Sequence, residues 1–279
     1  VIFKRVLNNN TAIATNHDGL AVLVMGSGLG FGRKPGEEVP LAKVEKTFLL
    51  KDKDALSKFT DLVIDVPMSI IDAAERIINF AKIKLGRKLN DIIYVNLTDH
   101  LDMAVKRARQ GVFLTNALKW DIARFYPDEF AVGQKAVEVV NQAEHVNLGE
   151  DEDAFVAIHF VNAESEGGVE QDLAYETTKI VKACEGIVKD YFHTEFDEQS
   201  LNYYRFITHL KFFAQRVLQG KHYDEEDGDM LATIKARYPR PYACTKQIEA
   251  YIAKTYHFQI TSSELLFLTV HISRLVKNL

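Results

Sequence analysis

The sequence predicts a multidomain chain: a small antiparallel all-β N-terminal domain, dimerising, followed by two homologous all-α helical-bundle domains. Three observations carry this. Residues 1–55 alternate β-branched residues with turn formers, the pattern of a small sheet. Beyond them the apolar period becomes helical. Within the helical part the stretch Tyr94–Gly111 (YVNLTDHLDMAVKRARQG) returns without a gap as Tyr203–Gly220 (YYRFITHLKFFAQRVLQG). The expected domains are therefore residues 1–55, 56–168 and 169–279.

Taken in order, strands are expected at Phe3–Leu7, Thr11–Thr15, Ala21–Met25 and Lys43–Leu50, separated by Asn8-Asn9-Asn10, Asn16-His17-Asp18-Gly19 and Gly26-Ser27-Gly28. A module this small buries little apolar area alone, so it is expected to pair with a second copy, making the chain a homodimer. Helical spacing starts near Ser57 and continues through Ile77, Ile78, Ala81 and Leu85, then Leu97, Leu101, Ala104 and Ala108. In the second copy it runs through Phe206, Leu210, Phe213 and Val217. Tyr126-Pro127 and Tyr238-Pro239 mark the same helix entry in each copy, and Ala163–Asp172, with its double glycine and acidic residues, is the expected linker between them.

Bulk composition limits the function. With 47% hydrophobic and 26% charged residues the chain is that of an ordinary folded protein. No apolar run approaches the roughly 20 residues a bilayer requires, so membrane insertion is not expected and a cytoplasmic location is. The two cysteines, Cys184 and Cys244, have no close-spaced partners, which argues against a disulfide framework or a zinc site and for burial as small apolar residues. A net charge of −5 argues against indiscriminate nucleic-acid binding but leaves room for a local basic surface. The glycine-rich run Gly26–Gly32 has no following Gly-Lys-Ser/Thr and opens no helix, so it reads as a tight turn rather than a nucleotide loop. No cofactor is implied.

Histidines carry the chemistry that remains. The repeat places His100 and His209 at one equivalent position, and DAFVAIHFV around His159 matches LLFLTVHIS around His271. Each lies at the border of an apolar stripe, where a single histidine is ordinarily a hydrogen-bonded core residue. Recurrence of all four at equivalent places favours function. Metal binding is the rival, although the close i, i+3 or i, i+4 pairing common in metal sites is missing and only folding could bring His100 and His159 together. A neutral imidazole nitrogen can instead take a phosphoryl group from a phosphohistidine on another protein, which needs neither metal nor nucleotide.

Several motifs in order, VLNNN at Val6–Asn10, VMGSGLGFGRKPGE from Val24, LTDH at Leu97–His100, IHFVNAE from Ile158 and THLKFFAQR from Thr208, resemble the BglG/LicT-type transcriptional antiterminators from end to end. The resemblance implies an RNA-binding domain followed by two phosphotransferase-system regulation domains. The ligand so implied is a nascent mRNA antiterminator hairpin that overlaps a terminator ahead of genes for use of a sugar, often a β-glucoside. It implies RNA contacts at Asn8, Asn10, Gly26 and Phe31, with Arg5 in a basic position: amides for base edges, a ring for stacking, and a glycine for close backbone approach. Ser27 departs from the basic residue of some members, and Arg33 and Lys34 lie nearby. For the histidines it implies inhibitory phosphorylation of His100 and His159 through a sugar-specific enzyme II permease, and activating phosphorylation of His209 and His271 by HPr. Asp99 either orients His100 or faces solvent, and Arg205, Arg216 and Arg274 are candidate phosphate partners. His17, His145, His193, His222 and His257 are given no role.

Each phosphohistidine adds close to two negative charges. Two such groups about 10 Å apart repel by on the order of 2 to 7 kcal/mol for effective dielectrics from 80 to 20, enough to move an interface. Two other classes are weighed against this reading. A DNA-binding activator with the same regulation domains would begin with a helix-turn-helix rather than strands, and a phosphohistidine-relay enzyme would need a sugar or nucleotide site that the sequence lacks.

Overall fold

The computed structural model describes residues 1–49, 51–164, 173–222 and 228–277. These group into two compact units, Val1–Val169 and Glu170–Leu279. Most of the expected linker, residues 165–172, lies outside the described residues, as does Leu50.

Unit 1 opens with four strands, β1 (Ile2–Val6), β2 (Thr11–Thr15), β3 (Ala21–Met25) and β4 (Lys46–Phe48), in a purely antiparallel meander. The expected all-β start is thus present, with one change. The fourth strand is only three residues long, because Pro40 leads into a single 3-10 turn at Leu41–Lys43, closed by Lys43 N–H donating to the Pro40 carbonyl at 2.8 Å. That turn puts the Lys43 carbonyl against Gly26, where a Cβ would fall 1.8 Å from it. Gly26 is therefore a packing requirement of the sheet.

Alternation along the strands sends Phe3, Ala12, Ala14, Val22 and Val24 into a small core with Leu29 and Val39. Residues of the opposite parity, Leu23, Met25 and Phe48, join a larger core with the helices that follow. There Phe48 meets Phe59 edge-on at 5.2 Å and Tyr94 at 5.9 Å. The first helix, α1 (Lys53–Leu62), starts earlier than the apolar period predicts because Asp52 caps it, accepting from Asp54 N–H at 2.8 Å and Ala55 N–H at 3.1 Å. Asp91 ties down the entry by accepting the Lys51 amide at 2.7 Å. Lys46 bridges from β4 to Asp72 (3.0 Å) and to Glu75 on α2 (Met68–Leu85).

The remaining helices of this unit are α3 (Ile92–Arg109), α4 (Lys119–Phe125), α5 (Pro127–Glu144) and α6 (Glu152–Ala163). Packing of α2 on α3 and α5, of α5 on α6, and of α3 on α6 closes the bundle. Unit 2 contains α7 (Leu173–Phe192), α8 (Leu201–Gln219), α9 (Gly228–Arg237), α10 (Pro239–Tyr256) and α11 (Ser262–Leu275), with α7 on α8 and α11 on α8 and α10.

The copies share their local devices. Pro127 and Pro239 each occupy the first helical position after a tyrosine N-cap, where a missing N–H costs nothing. His145 and His257 each end that helix in the left-handed region, at φ 51° and 53°. Cys184 and Cys244 are free and buried in unit 2, and burial pushes both thiols up to about 12, which leaves them unreactive. Among the described residues no helix is long and apolar enough to cross a membrane.

Candidate functional site

Three sites follow from this fold: one edge of the sheet and a histidine pair in each helical bundle. At the sheet edge, the turn between β1 and β2 is stitched to the 26–31 loop. Asn8 Oδ1 accepts the Asn10 amide, Asn10 Oδ1 accepts Gly28 N–H, the Asn10 carbonyl accepts Gly26 N–H and the Asn9 carbonyl accepts Gly30 N–H, all at 2.9 Å. Phe31 stands out of this edge, 72% exposed, with Arg5 and Asn10 also exposed and Asn8 half-buried.

This geometry narrows the asparagine chemistry. The side-chain oxygens of Asn8 and Asn10 each accept a backbone N–H, so what these side chains chiefly have left to offer is the amide donor. Gly26 is buried beneath the turn, and its missing side chain makes room for the Lys43 carbonyl. Ser27 N–H donates to Glu45 at 2.9 Å, which puts a carboxylate beside this turn. Of the nearby bases, Arg33 pairs with Glu37 at 3.3 Å, and Lys34 is exposed.

In unit 1, packing of α3 on α6 brings the rings of His100 and His159 to 4.7 Å between centroids. Sequence spacing alone left this meeting open. Glu152, at the start of α6, bridges the site: its Oε2 lies 2.9 Å from His100 Nε2 and its Oε1 accepts from Arg107 at 2.8 Å. Burial by itself would raise this carboxyl, but His100 and Arg107 together hold it below the usual carboxylate range. The His100 ring is thus oriented by Glu152, while Asp99 is exposed. His159 is pressed down to about 3, first by burial and then by the neighbouring His100. Among the described residues no group of three or more His, Cys, Asp or Glu is arranged to hold a metal ion.

In unit 2, α8 and α11 bring His209 and His271 closer, 3.9 Å between centroids and inclined by 31°. The glutamate and arginine recur here as Glu264 and Arg216, at the same positions relative to the histidines, but their bonds differ. Glu264 accepts from Arg216 Nε at 3.1 Å and turns its other oxygen to Thr261, whose backbone N–H donates at 3.2 Å in a capping box that starts α11. His209 is exposed and, among the described residues, its ring has no hydrogen-bond partner. Burial lowers its affinity for protons, as do the charges of Arg216 and Arg274. His271 is pushed down to about 4 by burial, then by His209, Arg274 and Arg205. A cavity of about 260 Å³ opens between His209, His271, Arg216, Phe212 and Phe267.

Sequence reasoning identified all four histidines and Arg216 but missed the glutamates. A signal was available: Glu152 and Glu264 each stand seven residues before the second histidine of their pair, just ahead of the stretch in which the two copies look alike.

Comparison with known proteins matches three segments of the chain to two family models. The CAT RNA binding domain matches residues 2–57, and the PRD domain matches twice, at 75–163 and 182–275. The transcription antiterminator LicT of Bacillus subtilis is 46% identical over 98% of each chain. The β-glucoside operon antiterminator of Dickeya chrysanthemi is 37% identical over 97% of this chain and 95% of its own. Among solved structures, the GlcT CAT-PRDI crystal structure covers 59% of this chain and 98% of its own, with a TM-score of 0.50 and 30% identity. The chain belongs to the BglG/LicT-type transcriptional antiterminators, regulators rather than enzymes, built from a CAT RNA binding domain and two PRD domains.

Proposed function

We propose that this chain is a sugar-responsive antiterminator that binds a nascent mRNA hairpin overlapping a terminator, and that reversible phosphorylation of its two histidine pairs sets its activity. Residues 1–55 act as the RNA-binding and dimerising module, 56–168 as the first regulation domain and 169–279 as the second. The protein works in the cytoplasm as a homodimer. RNA docks on the sheet edge, where Phe31 stacks on an unpaired base, Asn8 and Asn10 donate to base acceptors, and Arg5 neutralises phosphate. The name of the Dickeya relative supports a β-glucoside as inducer.

The observation that carries the regulatory half is the meeting of two imidazoles in each bundle, 4.7 Å and 3.9 Å apart, without a metal-type cluster among the described residues. The first pair receives phosphate through the sugar-specific enzyme II permease and is inhibitory. The second receives it from HPr and is activating: His209 faces an open cavity whose lining includes Arg216, with the charge of Arg274 also acting on its ring, which suits a phosphoryl group. Titration of the full chain with a hairpin RNA and with duplex DNA tests the first half. Binding confined to the hairpin and weakened by salt is expected, with Phe31→Ala costing about 1 to 3 kcal/mol. Equal binding of duplex DNA would favour a DNA-binding activator instead.

A further inference from the structure

The two bundles repeat a glutamate, an arginine and two histidines, yet only the first puts the glutamate on a histidine. A carboxylate accepts hydrogen bonds and cannot donate them, so the 2.9 Å contact from Glu152 to His100 Nε2 requires the proton to sit on Nε2. The lone pair of the neutral ring then lies on Nδ1. Arg107 braces the second carboxylate oxygen at 2.8 Å, so Glu152 has little freedom to turn away. The carboxylate is nearly buried, with 5% of its side chain exposed, so water scarcely competes for it.

We infer that Glu152 is a positioning residue that makes Nδ1 of His100 the nitrogen which accepts phosphate; this rests on the phosphorylation reading above. In the step, the Nδ1 lone pair attacks the phosphorus of a donor phosphohistidine whose other ring nitrogen is protonated. The donor's P–N bond breaks, its electron pair stays on the donor nitrogen, and a neutral imidazole leaves. His100 becomes a phosphorylated imidazolium whose Nε2–H still points at Glu152, so the positive charge that develops on the ring meets a fixed negative one. The product keeps its proton on Nε2.

The second bundle supplies a control. Thr261 draws Glu264 into the helix cap, and Arg216 holds its other oxygen, so His209 has no carboxylate to choose its tautomer. At the position of Thr261, three residues before the glutamate, the first bundle has Gly149, which has no hydroxyl to offer.

The test is a long-range ¹H–¹⁵N spectrum of the histidine rings in the full chain near pH 7.5, before and after phosphorylation by phosphorylated HPr and the enzyme II permease. Before phosphorylation, His100 is expected as a single Nε2–H tautomer and His209 as an average of two. Afterwards phosphorus is expected on Nδ1 of His100, and Glu152→Ala is expected to lose both the single tautomer and the site selectivity. Phosphorus on Nε2, or an averaged His100 ring in the unmodified protein, would overturn the inference while leaving the phosphorylation reading intact. Absence of phosphohistidine at position 100 would overturn both. The unmodified wild-type spectrum decides the tautomer even where the alanine variant does not fold.

Discussion

The two histidine sites differ as two settings of one mechanism. In the first bundle, Glu152 joins His100 to Arg107, and the pair is largely covered. In the second, Glu264 serves the helix cap and Arg216, and His209 is exposed beside a cavity. The same residue types at the same spacings thus yield a carboxylate-bound imidazole in one copy and an imidazole among arginines in the other. One residue outside the repeated set accounts for much of this. Thr261 caps α11 and engages Glu264, whereas Gly149 cannot cap, and α6 starts later, at Glu152 itself. Equivalent residues do not make equivalent sites when the backbone around them makes different demands on their hydrogen bonds.

The comparison breaks most visibly at the arginines. Arg216→Met leaves Glu264, whose side chain is fully buried, without its cation, and a loss of about 3 to 5 kcal/mol is expected. Arg107→Met leaves Glu152 with His100 still donating to it, and about 2 kcal/mol is expected. Denaturant unfolding, with hydrogen exchange in α11 and α6 to separate the bundles, measures both. Equal losses would show that the two glutamates are held alike.

Acid sharpens the contrast next. Both inner histidines bind protons more weakly when folded, to about 4 for His271 and about 3 for His159, against about 6.5 unfolded. A group whose folded value is depressed contributes stability that is full above about pH 6.5 and is lost as pH falls toward the folded value. For His271 the window is about pH 6.5 to 4 and the loss on the order of 3 kcal/mol. For His159 the fall continues toward pH 3, and Glu152, also held below its ordinary value of 4.5, adds to the loss once the pH falls below that value. His271→Asn should flatten the pH dependence of α11 protection and leave that of α6 unchanged. An unchanged slope in α11 would place the acid-sensitive group elsewhere.

The smallest effect concerns the cap. Thr261→Ala removes the side-chain half of the capping box and should cost about 1 kcal/mol, read from hydrogen exchange in the first turn of α11. It also removes the hydroxyl contact to one oxygen of Glu264 but leaves the backbone N–H of residue 261 donating to it, so the His209 ring should remain an average of two tautomers. A shift of the ring to a single tautomer would mean that the hydroxyl, rather than the backbone N–H and Arg216, holds the glutamate away.

Much of this was legible in the sequence, because it depends on local pattern. Alternation marked β1 to β3, helical spacing marked the bundle faces, and gap-free recurrence paired His100 with His209 and His159 with His271. The early start of α1 was hidden because Asp52 acts as a cap through a hydrogen bond, which no apolar period records. Shortening of β4 came from Pro40 and the contact between Lys43 and Gly26, residues far apart in the chain. The glutamate bridge was missed for a similar reason. Glu152 reaches back from α6 to two residues about two turns apart on α3, and only the packing of those helices shows that a charge at the start of one serves a ring in the middle of the other.

The central claim is that the two copies push RNA binding in opposite directions, and the most direct measurement is hairpin affinity of the full chain carrying phosphate on one pair at a time. Phosphorylating a His209→Ala, His271→Ala chain confines phosphate to the first pair, and a His100→Ala, His159→Ala chain confines it to the second. The account predicts weaker hairpin binding in the first case and tighter binding in the second, each relative to the same unphosphorylated chain. A shift in the same direction from both pairs, or none from either, would contradict it.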